Sequence, residues 1–148
     1  MPTLEEMAKK QFLLKNPKGI CITPPGFGLS TVIENELRTR FPQLSRGLTT
    51  DSLYDSLPKV ITSNLELAKT FEIRPENELT HVRITGSVYS SLYSREQGLR
   101  SIHFLGCPLV SAIACALAKA TGKLVTIVKD NVSYDLQTID VWYQTLEV

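Results

Sequence analysis

Much that would announce a chemistry is missing from this sequence. No Cys-x-x-Cys pair occurs, and the three cysteines, Cys21, Cys107 and Cys115, are few and odd in number. That argues against a disulfide framework and against the usual structural zinc sites. Only two histidines are present, His81 and His103. With Cys107 they match no standard ligand spacing, so no metal is expected. Neither sign of charge dominates: 16 basic and 15 acidic residues leave a net charge of +1. Nucleic acid, which calls for a basic stripe or a pI above about 9, is therefore not an expected partner. No stretch approaches about 18 uncharged apolar residues, so no membrane span is expected. Residues 1–15 are charged and amphipathic, without the apolar core or cleavage signature of a secretory signal, which makes the cytoplasm the expected location. Internal repeats and low-complexity tracts are absent too.

What is present is an ordinary globular composition. The chain has 148 residues, 43% hydrophobic and 21% charged, which suits one domain spanning residues 1–148. A domain of that size buries roughly 68–70% of its unfolded surface and needs no metal or disulfide to fold.

Periodicity places the elements. Leu4, Met7, Ala8 and Phe12 have helical spacing, with Glu5 and Glu6 early and Lys9, Lys10 and Lys15 late, as the helix dipole prefers. Pro17 stops that helix. Residues 19–23 form a short apolar run with strand character, and residues 24–28 a tight Pro-Gly loop. Ser30 is a candidate cap for a helix running to about Phe41, where Pro42 ends it. Residues 43–50 read as loop. Leu53, Leu57, Val60, Ile61, Leu65, Ala68 and Phe71 make a helical stripe. Pro58 sets its start near Leu57, since proline is tolerated in a first turn. Residues 74–78 read as a turn. From Leu79 to about Tyr93 the chain looks extended, with Val82 and Ile84 alternating against His81, Arg83 and Thr85. Gly86 is a candidate bulge, and residues 94–100 a polar loop.

The last third is the most informative. Residues 109–121 are apolar nearly all round and rich in small side chains. Pro108 fits the first helical position and Gly122 the C-terminal cap. Ala112, Ala116 and Ala120 share one row, so this helix belongs at the centre of the domain or in a subunit interface. Residues 124–128 and 138–146 then read as an antiparallel strand pair. The expected fold class is α+β: a small, mostly antiparallel sheet packed against helices, with the buried small-residue helix 109–121 at its heart. The rival is an α/β arrangement with a βαβ unit over residues 101–128, in which residues 101–105 form a strand leading into that helix.

This ordering of helix, strand, Cys-led small-residue helix, Gly-Lys turn and closing strand pair resembles the 4-vinyl reductase domain, a relative of some vesicle-tethering subunits. The resemblance covers roughly residues 57–148. Its carriers are the run Ser111-Ala112-Ile113-Ala114-Cys115-Ala116, then Gly122, then residues 124–128 and 138–146. The family's Glu-x-x-Cys motif would fall near residues 129–132 and is absent. Tyr134-Asp135-Leu136 stands in place of its Gly-Asp-x-x-Cys turn. The resemblance therefore implies no metal or cysteine chemistry here. It implies a small-molecule-binding or assembly domain, often dimeric, with an apolar pocket.

Two local features offer other functions. Gly26, Gly28, Ser30 and Thr31 lie between a candidate strand and a candidate helix, where backbone N–H groups favour phosphate. Thr31 stands where the dinucleotide fingerprint has its third glycine, and no Gly-Lys-Ser/Thr follows. An ordinary turn is the plainer reading of these glycines. Cys107 at a helix N-terminus, with His103 four residues before it, has the makings of a thiolate–imidazole pair. A buried apolar cysteine is the plainer alternative. Tyr89, Tyr93, Tyr134, Trp142 and Tyr143 are candidates for lining a pocket or an interface. The leading expectation is a non-catalytic domain that binds a small apolar ligand or a protein partner, as a homodimer and without a cofactor. A nucleotide- or phosphate-binding protein using residues 26–31, and a thiol enzyme using Cys107, are the alternatives.

Overall fold

A computed structural model describes residues 25–41, 49–94 and 102–146. The expected helix over 4–15, the strand over 19–23, Cys21 and most of the loops at 43–50 and 94–100 lie outside the described residues.

The helices come first. Helix α1 spans Phe27–Arg40 and carries the ion pairs Glu34–Arg38 and Glu36–Arg40 one turn apart. Its N-cap is Gly26, and Ser30, expected to cap the helix, sits buried inside the first turn. Helix α2 spans Thr50–Lys59 and continues as a π-turn over Val60–Asn64. It starts well before Leu57, because Thr49 Oγ1 accepts the Ser52 N–H and supplies the cap. Pro58 is thus inside the helix, and the wider π-turn follows directly after it.

Strand β1, Thr70–Glu76, and strand β2, Leu79–Thr85, form a hairpin closed by Asn77 and Glu78. Phe71 therefore belongs to a strand and not to the preceding helical stripe, and most of the expected turn over 74–78 is strand. Pro75 is tolerated because β1 lies at the sheet edge. The chain stops being extended at Thr85. Gly86, at φ +66°, turns it away, and a 3-10 turn forms at Ser90–Tyr93.

A short helix α3, Ile102–Leu105, precedes helix α4, Pro108–Thr121. The helical turn at residues 102–105 removes the strand that the βαβ rival required. Pro108 opens α4 and Gly122, at φ +71°, closes it in the left-handed conformation, as expected. Strand β3 spans Leu124–Val132 and β4 spans Thr138–Leu146.

The four strands make one antiparallel sheet in the order β1-β2-β4-β3. The fold class is α+β. Since β4 runs opposite to both β2 and β3, those two are parallel, with the last strand inserted between them. Every other residue of the two central strands faces the helices: Thr80, Val82 and Ile84 on β2, Ile139, Val141 and Tyr143 on β4. All are buried. On the helix side, α4 contributes Leu109, Val110, Ala112, Ile113, Ala116 and Leu117 to the core. Helix α1 adds Ile33 and Leu37, and α2 adds Leu53 and Leu57. Two polar bonds pin the layers together. Tyr143 Oη donates to the Val110 carbonyl at 2.7 Å, and Tyr54 and Thr80 share a hydroxyl hydrogen bond at 3.0 Å. The small-residue helix is at the centre. No helix among the described residues is long and apolar enough to cross a membrane.

Candidate functional site

The glycine loop meets a helix at close range. A Cβ on Gly26 would lie 2.1 Å from the Ala112 nitrogen and 2.4 Å from the Pro108 carbonyl oxygen. Only glycine lets the chain come this near to α4. The Gly26 N–H donates to Ser111 Oγ at 2.9 Å, and its carbonyl accepts the Ser30 N–H at 2.7 Å. Thr31 Oγ1 donates to the Phe27 carbonyl in its own helix. Gly28 and Thr31 are exposed, and Gly28 has open space around it. The four residues share one turn, and the backbone donor at Gly26 is committed to Ser111.

Cys107 caps α4. Its Sγ accepts the Val110 N–H at 3.4 Å, and its own N–H donates to Tyr93 Oη at 3.2 Å. A helix N-terminus favours thiolate, but the residue is fully buried and desolvation pushes the thiol up. His103 turns away from it. Its Nδ1 lies 2.8 and 3.1 Å from the two carboxylate oxygens of Asp130 on β3. Tyr93 stands against both groups, its ring edge toward His103 and its hydroxyl on Cys107. Burial also pushes the Tyr93 hydroxyl up. No imidazole contacts the thiol, so the local chemistry is a half-exposed Asp130–His103 pair beside a neutral, enclosed sulfur. His81 lies on the far side of the sheet. Among the described residues, no three His, Cys, Asp or Glu side chains come together to hold a metal ion.

The constellation that sequence reasoning did not assemble is on the face of the sheet turned away from α1, α2 and α4. The alternation that buries Val82 and Val141 aims His81, Arg83, Asp140 and Trp142 the other way. The register sets Arg83 opposite Asp140 and His81 opposite Trp142. Arg83 Nε and His81 Nε2 both reach Asp140 Oδ1 at 2.8 Å. The hydrogen bond and charge of Asp140 hold the Arg83 guanidinium firmly protonated. His81 stacks on Trp142 with ring centroids 4.7 Å apart and planes at 29°.

A bulge completes the row. Ile127 pairs with Tyr143 but Lys129 pairs with Trp142, so Val128 is an extra residue on β3. The slip carries Lys129 to this face, where its Nζ lies 4.3 Å from the Trp142 ring centroid, a cation–π contact. Arg74 on β1 stands opposite His81. One row across all four strands therefore reads Arg74, His81, Trp142, Lys129. Glu72, Arg83, Asp140 and Asn131 form the next row, by the same registers. On this face His81 is only 3% exposed and Asp140 7%. Opposite charges on two alternating runs were the available signal, because cross-strand neighbours favour them. The register that makes Arg83 and Asp140 neighbours is set by the whole sheet.

Comparison with known proteins adds no relative: the chain matches no family model, no curated protein and no solved structure.

Proposed function

We propose that this chain is a non-catalytic interaction module of the cytoplasm that forms a homodimer through the face of its sheet turned away from α1, α2 and α4. The observation that carries the reading is the self-complementary charge pattern around Trp142. A two-fold interface uses one patch twice, so the patch must hold both members of each pair. Here Glu72, Glu76 and Asp140 balance Arg74, Arg83 and Lys129 on one face. A two-fold axis parallel to the strands, midway between β2 and β4, sets Arg83 over the second copy's Asp140. The same axis sets each Trp142 over a His81. Tryptophan and arginine at the centre of a patch are the residues that most often dominate binding energy.

Both sheet edges are poor alternatives for docking. Pro75 interrupts β1, while a bulge, Lys129 and the inward-facing Asp130 mark β3. The reading agrees with the element order that resembles the dimeric 4-vinyl reductase domain.

Native mass spectrometry over a dilution series, set beside the denatured mass, is the test. A dimer that dissociates on dilution and is lost in Arg83→Glu, an exposed position, is the expected result. A monomer at all concentrations rejects the homodimer. Extra mass that vanishes on denaturation would identify a small ligand as the occupant instead.

A further inference from the structure

We infer that His81 is a proton-operated clamp that ties the β1–β2 hairpin to β4. The two ring nitrogens face different carboxylates. Nε2 lies 2.8 Å from Asp140 Oδ1, and an ionised carboxylate only accepts, so the hydrogen of that bond sits on Nε2. In the neutral ring Nδ1 then carries a lone pair. It points toward Glu76 Oε2 at 3.7 Å, within ion-pair reach but too long for a hydrogen bond. A second proton converts Nδ1 into a donor. Glu76, with its side chain 46% exposed at the end of β1, has the freedom to close that gap. The protonated ring then bridges Glu76 on β1 and Asp140 on β4.

Among the described residues, the charged groups around the ring pull both ways. Glu76 and Asp140 favour the cation, as does the stacked Trp142 face. Arg83 on the same strand, Arg74 opposite on β1 and Lys129 beyond Trp142 on β3 oppose it. The effect on partner binding rests on the homodimer reading; the clamp itself does not.

The chain's single tryptophan makes the test direct. A cation placed against an indole perturbs its emission. Trp142 fluorescence is followed while the protein is acidified from neutral pH, at a dilution where emission no longer depends on concentration. One reversible transition is expected. It should be lost in His81→Gln, retained in His103→Gln, and shifted to more acidic pH in Glu76→Gln, which removes the counter-charge from an exposed position. A transition that persists without His81, or that Glu76→Gln leaves in place, overturns the clamp. Glu76→Gln decides the matter even if His81→Gln fails to fold. At the dilution used, a failed dimer and a failed clamp remain separate outcomes.

Discussion

At the scale of single residues, the deciding contacts join parts of the chain far apart in sequence. Gly26 and Ser111 are 85 positions apart, yet the first has no room for a methyl group because the second's helix lies against it. A glycine in a Pro-Gly loop advertises a turn. Nothing local announces that its Cα faces the backbone of α4. Gly26→Ala is expected to destabilise the fold by about 3 kcal/mol, since the atoms it meets are backbone and cannot swing aside. A urea midpoint measures this directly, and a change under about 0.5 kcal/mol, the ordinary surface range, would mean the loop is not seated there. Cys107 teaches the same lesson in reverse. Its place at a helix N-terminus was legible, but its enclosure against Tyr93 and Val110 was not. His103, four residues away, was captured by Asp130 from a strand two elements later.

At the scale of elements, legibility followed how locally each boundary is specified. Helix α4 carries its own start and stop in Pro108 and Gly122, and both landed where expected. Helix α2 did not, because Thr49 capped it nine residues before a proline that looked like a first turn. Strand β1 was hidden because Phe71 extends the spacing of a helical stripe, and only pairing with Ile84 makes it a strand. The bulge on β3 was invisible for the same reason: the strand was expected over 124–128 alone, and only pairing with β4 carries it past the bulge to Val132. This gives a sharp test of the register. Deleting Val128 removes the unpaired residue and leaves Thr126, Ile127, Lys129 and Asp130 on their present faces. Deleting Val141 from β4, which has no extra residue, instead forces one half of that strand onto the wrong face. The Val128 deletion should fold and keep the Trp142 emission of the parent, whereas the Val141 deletion should lose stability by about 2 kcal/mol or more. Equal damage from both would contradict the bulge.

At the scale of the whole molecule, the fold class was the best-read feature, because two clean period-two runs and one all-apolar helix leave few arrangements. The order of strands was not readable, since it depends on which edges survive and which side the helices cover. The finished core also sets a pH limit. Cys107, Tyr93 and Tyr143 are all pushed up by burial from ordinary values of 9.0 and 10.0. The folded chain keeps them neutral while the unfolded chain ionises them at those ordinary values. Stability from these groups is thus intact below about pH 9 and is lost as pH rises beyond it, more steeply past about 10. Thermal unfolding followed by circular dichroism should show Tm falling over that alkaline range. A flat profile would mean these groups are not enclosed as described.

The insertion of β4 between β2 and β3 also fixes a sequence of events in time. Synthesis delivers β1 and β2 as a ready hairpin, then α4, then β3, which has no neighbour until residues 138–146 emerge. Until then the apolar flank of β2 and the whole of β3 are uncovered on the nascent chain, in the state where strands most readily find wrong partners. The centre of the sheet is the last part to be made. A ribosome that stalls within β4 would therefore hold a chain with its helices in place and its keystone missing, which is the moment when a chaperone has most to do.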